Sequence, residues 1–302
     1  MSNSQSSIKI EKQSDQTYNV YLGNQLITSL NVNNFSIANR PYFYPVNTPS
    51  GVLLTRNYPM KQIEGETKDH VHHTSVWSAW GNINGVDNWG RYEKAGKQIV
   101  KSINYETKEN KAVFKIELDW TTATETPQLF ETRTVEISQI DADTFIFDVR
   151  LDFETKYGSV KFGDTKEGGL LSVRVATALD VPKGQILNSK GGRCTTKSEE
   201  RNVWGKRAEW CSYSGSIDGK PVGIAIIDHP KNPIFPTYWH VRSYGLMTAN
   251  PFGKSHFVFP LLRGTWKMKE NIRSTWRYRL VVFDGQENPE KLNGLMKKFH
   301  ET

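Results

Sequence analysis

Apolar and polar residues alternate with a period of two along most of the chain. Between residues 143 and 153, Phe145, Phe147, Val149, Leu151 and Phe153 fall on one face of an extended segment, and Thr144, Asp148, Arg150 and Asp152 on the other. Successive side chains of a strand point to opposite sides of a sheet, so the pattern predicts a half-buried strand, with Ile146 its one apolar exception. Residues 113–120 repeat it with Phe114, Ile116, Leu118 and Trp120 inward; residues 276–282 do so with Trp276, Tyr278, Leu280 and Val282 opposite Arg277 and Arg279. The run Val-Gly-Ile-Ala-Ile-Ile at 222–227 has no polar side and predicts a strand covered on both faces. Gly23-Asn24, Asp218-Gly219 and Asp284-Gly285 supply tight turns between such runs. A helical period emerges only near the end, where Pro289 suits a first turn and Leu292, Leu295, Met296 and Phe299 form one stripe. With no repeat of fixed period and no low-complexity linker, the pattern predicts an all-β chain. It reads as one large antiparallel β-sandwich domain over residues 1–302, closed by a short C-terminal helix.

Composition sharpens this in three ways. The 302 residues are enough for a generous core, and the nine tryptophans exceed what such a core needs. Indole pairs an apolar face with a polar handle, so the surplus predicts a ligand groove. The net charge of +7 comes from basic residues interleaved with Asp and Glu, as in Lys197-Ser-Glu-Glu-Arg, rather than from one basic stripe, which argues against a nucleic-acid partner. The two cysteines, Cys194 and Cys211, have no zinc or redox spacing, and the polar N-terminus has no secretory apolar core. No apolar run is long enough for a membrane span. A cytoplasmic setting is expected, or a periplasmic one if a leader has been removed. Dinucleotide, P-loop, metalloprotease and α/β-hydrolase signatures are all missing, and the expectation is of no cofactor and no bound metal.

Polar chemistry gathers in three segments. The first, 69–91, holds His70, His72 and His73 beside Asn84, Asp87 and Trp89. If extended, it puts His70 and His72 on one face and His73 on the other. Imidazole titrates near neutrality, which suits His72 or His73 to proton transfer, and a polar set beside indole rings suits sugar hydroxyls. A His-x-His pair also holds metals, yet no Glu follows at the spacing such a site uses. The lesser alternative is that the histidines cap loops and the tryptophans fill the core. The second segment, 162–176, sets Asp164 and Glu167 in a glycine-flanked turn before a strand carrying Ser172 and Arg174 on one face. Two close carboxyls can split acid and base roles, and Arg174 can hold an anionic or carbonyl group; a turn salt-bridged to its own strand fits the spacing equally well. The third segment, 236–253, alternates Tyr238, His240, Arg242 and Tyr244 against Trp239, Val241 and Ser243, and ends near Asn250. Such a face is costly to bury dry and predicts a wet groove.

Together, D-H-x-H-H-x-S-x-W with G-N-I-N-G-V-D-N-W-G, then G-D-T-K-E-G-G-L-L-S-V-R-V-A, then Y-W-H-V-R-S-Y-G-L-M-T-A-N-P-F-G, resemble a bacterial family known as PmoA-like, over about Arg40 to Phe283. The resemblance implies a component of saccharide utilisation, with a sugar oxidoreductase as a partner in the same pathway and no methane chemistry despite the name. It also implies a fold similar to the galactose-mutarotase-type supersandwich, in which a His acid and a carboxylate base act on a sugar ring. The functional expectation is a carbohydrate-active enzyme that cleaves or epimerises a glycoside or sugar. His72, His73, Asp164, Glu167 and His240 would move protons, with His73 or His240 as the acid and Asp164 or Glu167 as the base. Asn84, Asp87, Trp89, Arg174, Tyr238, Arg242 and Asn250 would hold a small-molecule or oligosaccharide substrate. A non-catalytic sugar-binding protein and a metal-dependent oxidoreductase built on His70, His72 and His73 stand as alternatives.

Overall fold

In the computed structural model, which describes residues 7–302, the alternating runs become strands of two large antiparallel sheets. One sheet has eight strands, in the spatial order Ile8–Ser14, Thr17–Leu22, Gln25–Asn31, Tyr42–Val46, Val76–Trp80, Gly168–Arg174, Leu246–Asn250, Tyr238–Arg242. The other has nine: Arg193–Cys194, Gln185–Asn188, Trp210–Ile217, Lys220–Asp228, Arg273–Asp284, Thr144–Glu154, Pro127–Asp141, Lys111–Thr121 and Lys97–Lys108. The inward residues of both meet in one continuous apolar core. Phe43 of the first sheet sits edge-on to Phe147 and Phe114 of the second, with centroids 6.1 and 6.2 Å apart. Aromatic pairs at such separations favour edge-to-face contact.

The two irregularities of the pattern have one cause. Ile146 on the outer side of its strand, and Ala225 and Ile227 on the outer side of theirs, are covered by the helix Pro289–His300 through Leu292, Leu295 and Phe299. That is why Ile146 breaks the alternation and why 222–227 needs no polar face. The helix starts where expected: Asn288 caps it by accepting from the Lys291 N–H at 3.0 Å, and Pro289 fills the first turn. Asp218 and Gly219 both take positive φ, 51° and 78°, as a two-residue hairpin of this twist requires. Among the described residues no helix is long and apolar enough to cross a membrane.

The expected tryptophan-lined groove is not what forms. Trp77, Trp80, Trp89, Trp120, Trp210, Trp239 and Trp276 are all buried, because the broad space between the sheets, the loops over the eight-stranded one and, for Trp210, the C-terminal helix over the other all take large rings to fill them. The outer face of the eight-stranded sheet carries, in one row across adjacent strands, Tyr42, Trp77, Ser172, Thr248 and His240. A neighbouring row carries Arg174, Leu246 and Arg242.

Candidate functional site

All three polar segments converge on that outer face. The first does so through a turn rather than an extended stretch. His70 takes a positive φ of 45°, and the His73 N–H donates to the His70 carbonyl at 2.9 Å. The expected split of the three histidines is therefore wrong. His70 stacks on His73 with centroids 4.7 Å apart, and His72 packs edge-on to both at 5.7 and 4.5 Å. Trp89 and Trp77 wall the cluster, 5.7 and 5.3 Å from His73. Among the described residues no three His, Cys, Asp or Glu side chains are grouped to hold a metal ion.

Beneath the rings lies a charge network that the sequence reading only half named. Arg174, fully buried, directs one guanidinium nitrogen to His73 Nδ1 at 3.1 Å and another to Asp69 at 2.7 Å. Arg56, also fully buried, reaches the same Asp69 oxygen, and His70 Nδ1 lies 3.1 Å from the other. Burial works against the Asp69 charge, but Arg174 and Arg56 outweigh it and hold the carboxyl below its usual range. Asp69 opens the quoted motif and its identity was legible; its partners 13 and 105 residues away were not. Tyr244 completes the cluster from the hairpin after Tyr238–Arg242, stacking on His70 at 5.0 Å with the Arg174 and Arg242 guanidiniums 4.9 and 5.2 Å from its ring centre. Gly245 makes that hairpin possible: its φ is 95°, and a Cβ there would lie 2.6 Å from Asp180.

A second arrangement surrounds His240. Its Nδ1 lies 2.7 Å from the Lys166 carbonyl oxygen, and its Nε2 is buried with no partner. The Lys166 carbonyl is presented by the turn of the second segment, and Asn250 clamps that turn by donating to Thr165 and Lys166 carbonyls at 3.0 and 3.1 Å. Trp204 and Phe257 wall the imidazole, at 6.5 and 6.1 Å between centroids. Neither was named from the sequence, because both sit in irregular segments without a period. Arg242, two positions along the strand, pairs with Glu200 at 2.7 Å.

Electrostatics redistribute the expected roles. Burial, helped by Arg40, pushes His72 down to about 3, and burial with the neighbouring His72 and Arg174 pushes His73 well below its usual value. Burial pushes His240 down to about 3, against the favourable hydrogen bond to Lys166. Each ring is therefore neutral near neutral pH, and neither His73 nor His240 carries the proton a general acid must hold in readiness. The expected bases fare no better. Asp164 accepts backbone N–H groups of Ser255 at 3.1 Å and Gly264 at 2.6 Å, and so pins the 253–264 segment; Glu167 is half-exposed, 3.3 Å from Lys166. No hydrogen bond joins either carboxylate to an imidazole among the described residues.

Several binding candidates are also occupied. Asn84 turns the 82–85 hairpin at a φ of 53° and pins it by accepting from the Lys161 N–H at 2.8 Å. Asp87 accepts from the Trp89 and Gly90 N–H groups at 2.7 and 2.9 Å. These are loop fastenings, made because Asn and Asp satisfy nearby backbone donors in turns. The wet groove expected of Tyr238, His240 and Arg242 is largely dry: Tyr238 and His240 are buried, and only Arg242 is part-exposed. Trp89 joins the histidine cluster as a wall, and Asn250 positions a loop.

Comparison with solved structures returns carbohydrate enzymes. A galactose mutarotase related enzyme from Lactobacillus acidophilus is 6% identical over 93% of this chain and 99% of its own, with a TM-score of 0.40. The GalM/aldose epimerase homologue from C. elegans is 7% identical over 94% and 100%, also at 0.40. The heparan sulfate lyase HepC from Pedobacter heparinus is 10% identical over 94% of this chain at 0.38, and the chain spans only 36% of its length. Scores this low carry no argument about activity. No curated protein matches the chain. The expected PmoA-like kinship is overturned, since the family model that matches, over residues 17–297, is a different one. The chain belongs to the family described as a family of unknown function, DUF6807.

Proposed function

We propose that this chain is a carbohydrate-active enzyme that cleaves or epimerises a glycoside or sugar by proton transfer at the outer face of the eight-stranded sheet. One observation carries the reading. A carbonyl oxygen only accepts, so His240 Nδ1 must bear the ring proton that it directs at Lys166. In the neutral ring Nε2 is then a bare, oriented lone pair, buried and unanswered by the protein. A base whose affinity for protons has been lowered by burial needs a proton that is already acidic, on a C–H beside a carbonyl, or one that turns acidic in the transition state, on a hydroxyl whose carbon loses a C–O bond. Tyr238, Arg242 and the His70–Tyr244 pair border it along the same face and would orient the ring.

The test is product analysis after incubating purified protein with native and 3-keto glycosides, alongside His240→Gln. Turnover by the parent, and a fall of about 10²-fold or more in the folded variant, is the expected result. Undiminished kinetics in a folded His240→Gln protein would remove His240 from the chemistry. A non-catalytic sugar-binding protein is the second reading. It is favoured by the absence, among the described residues, of a carboxylate hydrogen-bonded to either imidazole; saturable binding with no product would select it.

A further inference from the structure

The most exposed large apolar side chain among the described residues is Leu261, at 77%, and it does not stand alone. Val258, Phe259 and Leu262 are exposed on the same loop. Single apolar residues on a surface are ordinary; four on one loop tip are not. Nor is the tip a loose end. Asp164 accepts the N–H groups of Ser255 and Gly264 on one oxygen, at 3.1 and 2.6 Å, which closes the neck of the loop. Gly264 lets it close, since a Cβ there would overlap the Phe252 carbonyl oxygen. Phe257 packs inward on Trp204 with centroids 5.3 Å apart, and Trp266, just past the neck, stacks on Phe252 at 5.3 Å. At the tip the Leu262 N–H donates to the Phe259 carbonyl at 2.9 Å. The loop is thus a compact, fastened projection whose base is buried and whose apolar tip is left in water.

Its surroundings carry one sign of charge. Residues 254–269 hold Lys254, Arg263, Lys267 and Lys269 and no Asp or Glu. The loop leads into the strand Trp266–Met268, which pairs with Val160–Phe162 and sets Lys267 directly opposite Lys161. Both lysines are exposed, and like charges facing each other across a two-stranded ribbon repel. We propose that this end of the molecule docks on an anionic bilayer surface, the tip entering the interface while Arg263, Lys161 and Lys267 meet the headgroup phosphates. The loop would lie in the interface and not span it. A saccharide, even an acidic one, has no large apolar surface to cover Leu261. A second copy of this chain in a two-fold contact would bring the same basic ribbon against itself. A bilayer supplies both complements, hydrocarbon for the tip and negative headgroups for the ribbon. The net charge of +7 adds attraction in the same direction.

Co-sedimentation with vesicles tests this, comparing a phosphatidylglycerol–phosphatidylcholine mixture with phosphatidylcholine alone. The protein should pellet with the anionic vesicles and not with the neutral ones. Most of that binding should vanish in ~1 M NaCl, where the screening length falls to about 3 Å. Leu261→Ser, at a largely exposed position, should weaken binding about tenfold or more at an unchanged urea midpoint. Lys161→Glu should weaken it about tenfold while leaving the fold as stable or more so, because an attractive pair replaces the opposed lysines. Failure to pellet with anionic vesicles would overturn the proposal, as would binding that either substitution leaves intact. A dimer in sedimentation velocity that dissociates in Leu261→Ser, with no vesicle binding, would assign the tip to a second copy instead.

Discussion

His73 and His240 are both buried, neutral imidazoles on one face of one sheet, yet the protein treats them oppositely. At His73 a guanidinium, which can only donate, addresses Nδ1, so the ring proton sits on Nε2. At His240 a carbonyl addresses Nδ1, so the proton sits there and Nε2 is bare. The first ring is wired into Arg174, Asp69 and Arg56, and its accepting nitrogen is used up inside the protein. The second ring is held by a single bond, and its other nitrogen is buried without a partner, with Trp204 and Phe257 packed against the imidazole. The difference lies in one nitrogen: the accepting nitrogen of His73 is engaged by Arg174, whereas that of His240 has no partner in the protein, although Arg174 Nε and the indole N–H groups of Trp77 and Trp89 beside His73 are unpaired as well.

The sharpest way to break this contrast is to cut each side once and compare stabilities. Arg174→Met removes a fully buried charge that serves Asp69 and His73 together, and leaves Arg56 to share what remains. Asp69 is 40% exposed and keeps Arg56, so urea unfolding should show a loss of about 2–3 kcal/mol, short of the cost of breaking a fully buried pair. His240→Gln forfeits one hydrogen bond to a carbonyl, about 1 kcal/mol. Equal losses would mean that the two histidines are not built differently.

Acid provides the next test, with a sign that follows from burial. An unfolded chain protonates histidine near pH 6.5, whereas His240 in the fold resists down to about 3. Between those values the unfolded state binds a proton that the folded state does not. Stability is therefore full above about pH 6.5 and falls as pH drops toward 3, by about 1.4 kcal/mol per pH unit for each such ring. His240→Gln should flatten the slope by that share. An unchanged slope would mean that His240 is charged in the folded protein, and its lone pair would no longer exist.

The strands were legible because one face of each meets a core, which forces Phe145 to Phe153 and Trp276 to Val282 into alternation. Even the exception at Ile146 is regular once the helix stripe of Leu292, Leu295 and Phe299 is laid over it. The site was legible only as three neighbourhoods. Residue type marked His70 to His73, Arg174 and His240 as candidates, but the positive φ at His70 turned an assumed strand into a knot of stacked rings. Asn84 and Asp87 looked like ligand contacts and Asp164 like a base because the residues that bind hydroxyls and move protons are the same ones that satisfy turn backbones. Whether a polar group is free is a matter of its partners, and those partners lie 91 and 100 residues from Asp164. Trp204 and Phe257 had no periodic signal at all.

The smallest expected effect tests whether the two regions are independent. Asp164→Asn keeps an acceptor for one of the two N–H groups and loses the charge that strengthens both bonds, so stability should fall by about 1 kcal/mol. The loss should be felt locally. Phe257 hangs on the segment that Asp164 pins, and Phe257 touches Trp204 and His240 but none of the three clustered histidines among its ring contacts. The His240 and Trp204 ¹⁵N resonances should therefore shift while those of His73 stay in place, as expected for groups that share no partner. Matching shifts at His73 would show the face of the sheet to be one coupled unit, and the Arg174 network would then belong to the working site rather than to its support.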